Sequence, residues 1–279
     1  MKSFILTLSC PDQPGIVAAI TQKLAEQTFN IVDSQQYSAP ETGQYFMRIG
    51  FDGDTTCARV QDLLADTASH FDMTLQVDDA AARPRVLILL SKFDHCLIDL
   101  IYRQQVGSLK MEIAGIASNH ETGLHWAEDA GLTYHTLGGR EAKVDNEAKL
   151  DALIAHEKID MVILARYMQV LTPEFVARHS GRIINIHHSF LPSFKGAEPY
   201  SQAHKRGVKI IGATAHFVTA DLDEGPIITQ GVEPVRHDMD VASFIDVGRD
   251  TERRTLARAV RLLTERRVFL NGNKTVVFE

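Results

Sequence analysis

The sequence predicts an α/β chain of two domains, and three observations carry that expectation. The first eighty residues alternate short strand-like segments with two helix-spaced apolar segments. The rest carries near-continuous apolar runs separated by helical stretches, as parallel strands covered on both faces require. Between them, residues 78–85 hold two aspartates, an alanine run and Pro84, which is linker composition. A chain of 279 residues has room for two such units at roughly 100–200 residues each.

In the first domain, placed over 1–82, residues 4–9 alternate as a strand and 11–15 are turn chemistry. Ile16, Ala19, Ile20 and Leu24 recur at helical spacing. Residues 30–36 and 45–51 read as strands joined around Pro40-Glu41-Thr42-Gly43, a good hairpin turn. Val60, Leu63, Leu64 and Ala68 mark a second helix, and 73–77 a closing strand. The order β-α-β-β-α-β is the ferredoxin-like pattern.

In the second domain, placed over 83–279, the apolar runs at 86–90, 112–117, 161–165 and 182–186 have strand length. They predict a Rossmann-like, mostly parallel open sheet, in which ligands sit beyond the carboxyl ends of the strands. Residues 210–218 and 227–232 add strand-like segments, 239–267 reads as a long amphipathic helical region, and 274–278 as a terminal strand.

Net charge is mildly negative, 29 basic against 36 acidic side chains, which argues against a general nucleic-acid partner. Cys10, Cys57 and Cys96 are far apart with no Cys-x-x-Cys spacing, so a reducing cytoplasm is expected. The first nine residues read as a strand rather than a signal peptide, and the longest apolar runs fall short of a membrane span.

The chemistry concentrates in Asn185-Ile186-His187-His188-Ser189, answered by Asp223 in Asp223-Glu224-Gly225-Pro226. Asn185 and His187 leave the same face of an extended segment. A carboxamide donor, a titratable base and an orienting carboxylate are the parts needed to attack a carbonyl and hold the oxyanion. Continued alternation would send His188 to the opposite side, leaving it to shape the pocket. Adjacent histidines then point apart, and no third ligand has convincing spacing to Asp221 and Asp223, so no metal is expected. The loop 192–197, containing Gly196, would border the site, and Arg166–Leu171 would continue a central strand past its end as a wall for a flat heteroaromatic ligand.

These motifs resemble the folate-dependent formyltransferase family, which pairs Asn-x-His with a later Asp-x-Gly-Pro loop. Here they are Asn185-Ile186-His187 and Asp223-Glu224-Gly225-Pro226, with His216-Phe217-Val218-Thr219 leading in. The resemblance covers about residues 84–279. It implies Asn185, His187 and Asp223 as the catalytic trio and 10-formyltetrahydrofolate as substrate, with no tightly bound cofactor. It implies a folate pocket using Arg166, Tyr167, Met168, Gln169, Leu171, Thr219 and Gly225, with His188, Ser189, Gly196 and His216 around it.

Residues 1–80 resemble an ACT domain. That resemblance implies an amino-acid effector at Asp12, Gln13, Gly15 and Ile16 and assembly into a homodimer or homotetramer. The Pro14-Gly15 pair also makes a good turn with no ligand, and both readings stay open. An ACT domain ahead of this catalytic domain resembles the deformylase branch of the family. There water accepts the formyl group, and the released formate serves the one-carbon pool and purine synthesis.

Two departures from the transferase pattern favour that branch. Ser91-Lys92-Phe93-Asp94-His95-Cys96 lacks the glycine-rich turn that would cradle a substrate phosphate. His188 stands where transferases commonly have proline. Two other readings remain: formyl transfer to an amine such as glycinamide ribonucleotide, and a non-catalytic amino-acid-sensing protein.

Overall fold

A computed structural model of the chain describes residues 2–191 and 199–279. The chain forms two compact units, residues 1–82 together with 265–279, and residues 83–264. The first unit begins β1 (Lys2–Pro11), α1 (Ile16–Glu26), β2 (Asn30–Ala39), β3 (Gln44–Gly53), α2 (Cys57–His70) and β4 (Thr74–Asp79). Its sheet is antiparallel in the order β2-β3-β1-β4, the ferredoxin-like arrangement. Alternation along β1 turns Phe4, Leu6, Leu8 and Cys10 to one side, where they meet Ile16, Ile20 and Leu24 of α1 and Val60 and Leu64 of α2. Gly15 starts α1 at φ 99°, a conformation that costs a residue without Cβ little. Thr56 caps α2, its hydroxyl oxygen accepting the Arg59 N–H at 3.3 Å.

The second unit runs β5 (Arg85–Leu90), α3 (His95–Gln105), β6 (Glu112–Ser118), α4 (Leu124–Asp129), β7 (Tyr134–Thr136), α5 (Lys143–His156) and β8 (Met161–Leu164). It continues through α6 (Pro173–Arg178), β9 (Ile183–His187), α7 (Pro199–Arg206), β10 (Ile210–Phe217), β11 (Ile227–Pro234) and α8 (Val241–Thr264). Seven strands order as β11-β10-β9-β8-β5-β6-β7. Strands β5 to β9 are parallel, and β10 runs antiparallel to both β9 and β11. Leu87, Leu89, Val162, Leu164 and Ile183 pack with Leu150 and Ile154 of α5 and Phe175 of α6. Val86, Ile88 and Leu90 are equally buried, so β5 is covered on both faces, which explains its unbroken apolar run. The chain leaves β5 towards β6 and β7 on one side and returns to β8 and β9 on the other. The sheet therefore reverses its winding between β5 and β8. The edge strand β7, only Tyr134-His135-Thr136, carries no apolar run and was not legible in the sequence.

Residues 265–279 group with the first unit, which corrects the expectation that the second domain extends to 279. They form a hairpin of β12 (Val268–Asn271) and β13 (Lys274–Val277), turning at Gly272 with φ 62°. Phe269 and Phe278 pack on Phe46 and Ala39, with ring centroids of Phe46 and Phe269 5.7 Å apart. Arg266 pairs with Asp78 at 3.0 Å, and the Glu265 carbonyl accepts from Arg48 Nε at 3.1 Å. Strand β3 is thereby buried on both faces. Among the described residues, no helix is long and apolar enough to cross a membrane.

Candidate active site

The site forms beyond the carboxyl ends of β8 and β9. Asn185 and His187, two apart in β9, both line a cavity of about 250 Å³. Asp223 arrives on the loop between β10 and β11. It takes φ 57°, and the Phe217 N–H donates to the Pro226 carbonyl at 2.9 Å, which folds the loop back. A Cβ on Gly225 would run into the Phe217 carbonyl oxygen, so this fold needs glycine there.

Folded this way, the loop sets Asp223 Oδ2 3.2 Å from His187 Nδ1, and Oδ1 3.7 Å from His216 Nε2. Burial alone would raise the Asp223 carboxyl. The hydrogen bond and charge of His187, with His216 beside it, outweigh burial and hold it well below the usual carboxylate range. Its negative charge orients His187 through Nδ1. His187 Nε2 is buried, and no described protein group hydrogen-bonds it. That nitrogen is the one able to exchange a proton with a ligand.

His216 settles the orientation of the carboxamide. Its Nδ1 lies 2.8 Å from the Phe217 carbonyl, which can only accept, so Nδ1 carries the hydrogen. In that tautomer Nε2 accepts from Asn185 Nδ2 at 3.2 Å. One amide hydrogen is spent on His216, and the other is left for a carbonyl oxygen in the cavity.

His188 departs from the sequence expectation. Strand β9 ends at His187 and the chain bends, so alternation no longer applies. The two imidazoles lie 4.9 Å apart between centroids at 37°, and both line the cavity. Burial, with the nearby Arg166 and His187, lowers the His188 pKa to about 4, so it is neutral at pH 7. The Ser189 carbonyl accepts from Thr214 Oγ1 at 3.0 Å, and Thr214 Oγ1 in turn accepts the Leu191 N–H at 3.1 Å. Ser189 does not line the cavity itself. Gly196 and the loop 192–197 lie outside the described residues, apart from their flanks.

Arg166, Tyr167, Met168, Gln169 and Leu171 line the cavity, as do Thr219 and Leu222. Gly225 shapes the loop and does not line it. Met168 is 49 % exposed. Gln169 is held by the backbone, Nε2 donating to the Gly138 carbonyl at 3.2 Å. Burial and Glu147 push the Tyr167 phenol up to about 12, so it stays protonated.

Sequence reading missed the supports of this wall. Asn146 of α5 brackets Gly138, accepting its N–H at 2.7 Å and donating to its carbonyl at 3.0 Å. Glu147 accepts the Thr172 N–H at 2.7 Å and its hydroxyl. Ser91 Oγ accepts the Met168 N–H at 3.0 Å and donates to Asn119 at 2.7 Å.

Also missed was Glu252, 1 % exposed on the buried stripe of α8 with Phe244, Gly248 and Leu256. A lone charge at four-residue spacing along that stripe was its available signal. It meets His95 Nε2 at 2.9 Å, the Tyr200 hydroxyl, and Arg166 Nε at 3.4 Å. Burial raises the Glu252 carboxyl, but His95 and Arg166 outweigh it and keep it low. Donor atoms of His95, Cys96 and Glu252 lie within 4.8 Å of one another. The set suits a cation poorly. Both Glu252 oxygens already meet protein groups, Arg166 brings a positive charge, and burial followed by Glu252 pushes the Cys96 thiol well up.

At the proposed effector turn, Asp12 accepts from the Ser38 hydroxyl, and Gln13 and Gly15 are exposed. Ile16 is only 2 % exposed and belongs to the core, so it does not face a ligand.

The chain matches the formyl transferase family over residues 84–260 and the ACT domain over 2–78. It is 46 % identical to a formyltetrahydrofolate deformylase of Bacillus subtilis, across 98 % of this chain and 93 % of that one. It is 42 % identical to the same enzyme of Escherichia coli K12, across 98 % and 97 %. A crystal structure of formyltetrahydrofolate deformylase from Burkholderia mallei superposes with a TM-score of 0.96 at 47 % identity, covering all of both chains. A glycinamide ribonucleotide transformylase from Symbiobacterium toebii superposes at 0.67 and 30 % identity, covering 71 % of this chain and 95 % of the other.

Proposed function

The chain belongs to the formyltetrahydrofolate deformylase family, and on that premise we propose that Asn185, His187 and Asp223 carry its hydrolysis of 10-formyltetrahydrofolate to formate and tetrahydrofolate. The observation that carries this reading is the polarised imidazole of a cavity-lining histidine, Nδ1 against Asp223 and Nε2 with no hydrogen-bond partner among the described residues. His187 Nε2 takes a proton from water as the water oxygen bonds to the formyl carbon. The carbonyl electrons move to oxygen, where the second Asn185 amide hydrogen meets the developing charge. Collapse breaks the bond from carbon to the folate nitrogen, which keeps the electron pair and receives the proton held by His187. Formic acid then loses its proton, so one water is consumed and one proton released per turnover.

The ionised Asp223 stabilises the imidazolium formed between these two transfers. The folate lies along Tyr167–Leu171, under Thr219 and Leu222. No resident cofactor is required for this chemistry. The first unit serves assembly into a homo-oligomer and recognition of an amino acid near Asp12 and Gln13, in the cytoplasm. The formate feeds purine synthesis and the one-carbon pool. The decisive experiment supplies 10-formyltetrahydrofolate with no amine and measures both products. Equal formate and tetrahydrofolate are expected, whereas an absolute need for an amine would assign formyl transfer.

A further inference from the structure

An amine acceptor differs from water chiefly in the substituent it brings, and that substituent needs volume beside His187. One flank of His187 is the cavity that the folate fills under the reading above, on which this inference rests. On the other flank stands His188, which also lines the cavity. Its ring is tilted 37° to that of His187 with centroids 4.9 Å apart, and Tyr200 follows at 6.2 Å from His188. The Tyr200 ring is seated over Gly248, where a Cβ would overlap its phenol carbons. Its hydroxyl donates to Glu252, one helical turn further along α8. Glu252 in turn meets His95 at 2.9 Å and Arg166 at 3.4 Å. Phe93 is flanked by the Arg166 and Arg249 guanidinium groups, each 5.4 Å from its ring centroid.

Phe93 and His95 follow β5 and Arg166 follows β8, where the sheet reverses its winding and an open α/β fold offers room for a ligand. His188 follows β9, while Tyr200 and Glu252 stand on α7 and α8. Here side chains stand in that room, with Glu252 hydrogen-bonded to His95 and Tyr200 and paired by charge with Arg166. The Glu252 carboxylate presents no unused oxygen to an incoming ammonium or hydroxyl. His188, partly buried and near Arg166, adds a neutral ring between this network and the reacting histidine.

We propose that His188 and Tyr200, locked by Glu252, are the specificity-determining residues that close the acceptor side to amines and leave space for water alone. In the reaction they exclude, an amine nitrogen would bond the formyl carbon, the carbon–folate nitrogen bond would break, and the folate nitrogen would take the amine's proton.

The test follows how the formyl group partitions in the full-length protein. 10-Formyltetrahydrofolate is supplied with hydroxylamine or glycinamide, and formate, N-formyl product and tetrahydrofolate are all quantified. In the wild type, transfer is expected to be nil or confined to hydroxylamine. Tyr200→Ala and the double variant His188→Ala/Tyr200→Ala should raise the glycinamide share by about tenfold or more, the discrimination that small steric differences provide. Tyr200→Phe, which keeps the ring, should retain the wild-type share. Glycinamide accepted by the wild type as readily as hydroxylamine overturns the proposal, whether or not the variants fold. So does a wild-type share in a folded Tyr200→Ala that still releases formate. Failure of the wild type to release formate without an amine would instead sink the hydrolytic reading.

Discussion

Two imidazoles face one carboxylate in this site, and the distances divide their roles. His187 Nδ1, at 3.2 Å, shares the proton that orients it, whereas His216 Nε2, at 3.7 Å, is engaged by Asn185. Asn185→Ala should lower formate release by about 10²–10³-fold and Asp223→Asn by about 10²–10⁴-fold, with the far-ultraviolet circular dichroism unchanged. Near-normal release by either variant would remove that residue from the mechanism. His188 supplies a prediction on stability. Its folded pKa is about 4, against about 6.5 in an unfolded chain. Between those values the unfolded state binds more protons, so stability falls as pH drops from 6.5 to 4. The partly buried ring sets this loss at up to about 3 kcal/mol. In His188→Gln the loss should vanish, which urea unfolding of both proteins at pH 4.5 and 7 would detect as a smaller difference for the variant. Asp223 acts in the same direction at lower pH. Its depressed folded pKa contributes stability above the unfolded carboxylate range, lost as pH falls through the folded value.

Among the elements, the loop from β10 to β11 does the most with the fewest residues. Gly225 packs under the Phe217 carbonyl, and that close approach carries Asp223 back over the end of β9. Gly225→Ala must displace the loop, and its formate release is expected to fall as far as that of Asp223→Asn. A crystal structure of the variant would show Asp223 withdrawn from His187. Unchanged activity would mean that the loop has slack the geometry denies. Strand β9 teaches a related lesson. Its alternation correctly joined Asn185 to His187, because both lie inside the ladder. The same rule failed one residue later at His188, because pairing with β10 stops at His187 and the backbone bends.

In the molecule as a whole, the C-terminal hairpin ties the chain back to its own beginning. Phe269 and Phe278 cover Phe46 on the face of β3 opposite α1 and α2, so that strand has no solvent side. Phe46→Ala should cost about 3–5 kcal/mol, as removal of a buried ring does, measured by urea unfolding. Deleting residues 265–279 should speed amide hydrogen exchange along β3 in the otherwise intact protein. Exchange left unchanged there would mean that β3 does not depend on the hairpin. No local pattern announced this arrangement. The spacing of Lys274 to Phe278 reads as a strand anywhere, and its partner surface lies more than 200 residues away in the chain.

What the sequence determined by itself was whatever short-range periodicity and residue chemistry specify. These include the two α/β units, the side-by-side Asn185 and His187, and the glycine that lets Asp223 return. Backbone geometry imposes those features within a few residues, so they are readable there. Tertiary structure alone decided the pairings that span distant elements. It chose His216 to turn the Asn185 amide, Asn146 and Glu147 to brace the 166–172 segment, and Glu252 to hold Tyr200 beside His188. Each is a polar group that cannot stay buried without a partner. The identity of that partner depends on which chain segments the folded core brings within about 3 Å of it, the hydrogen-bond range.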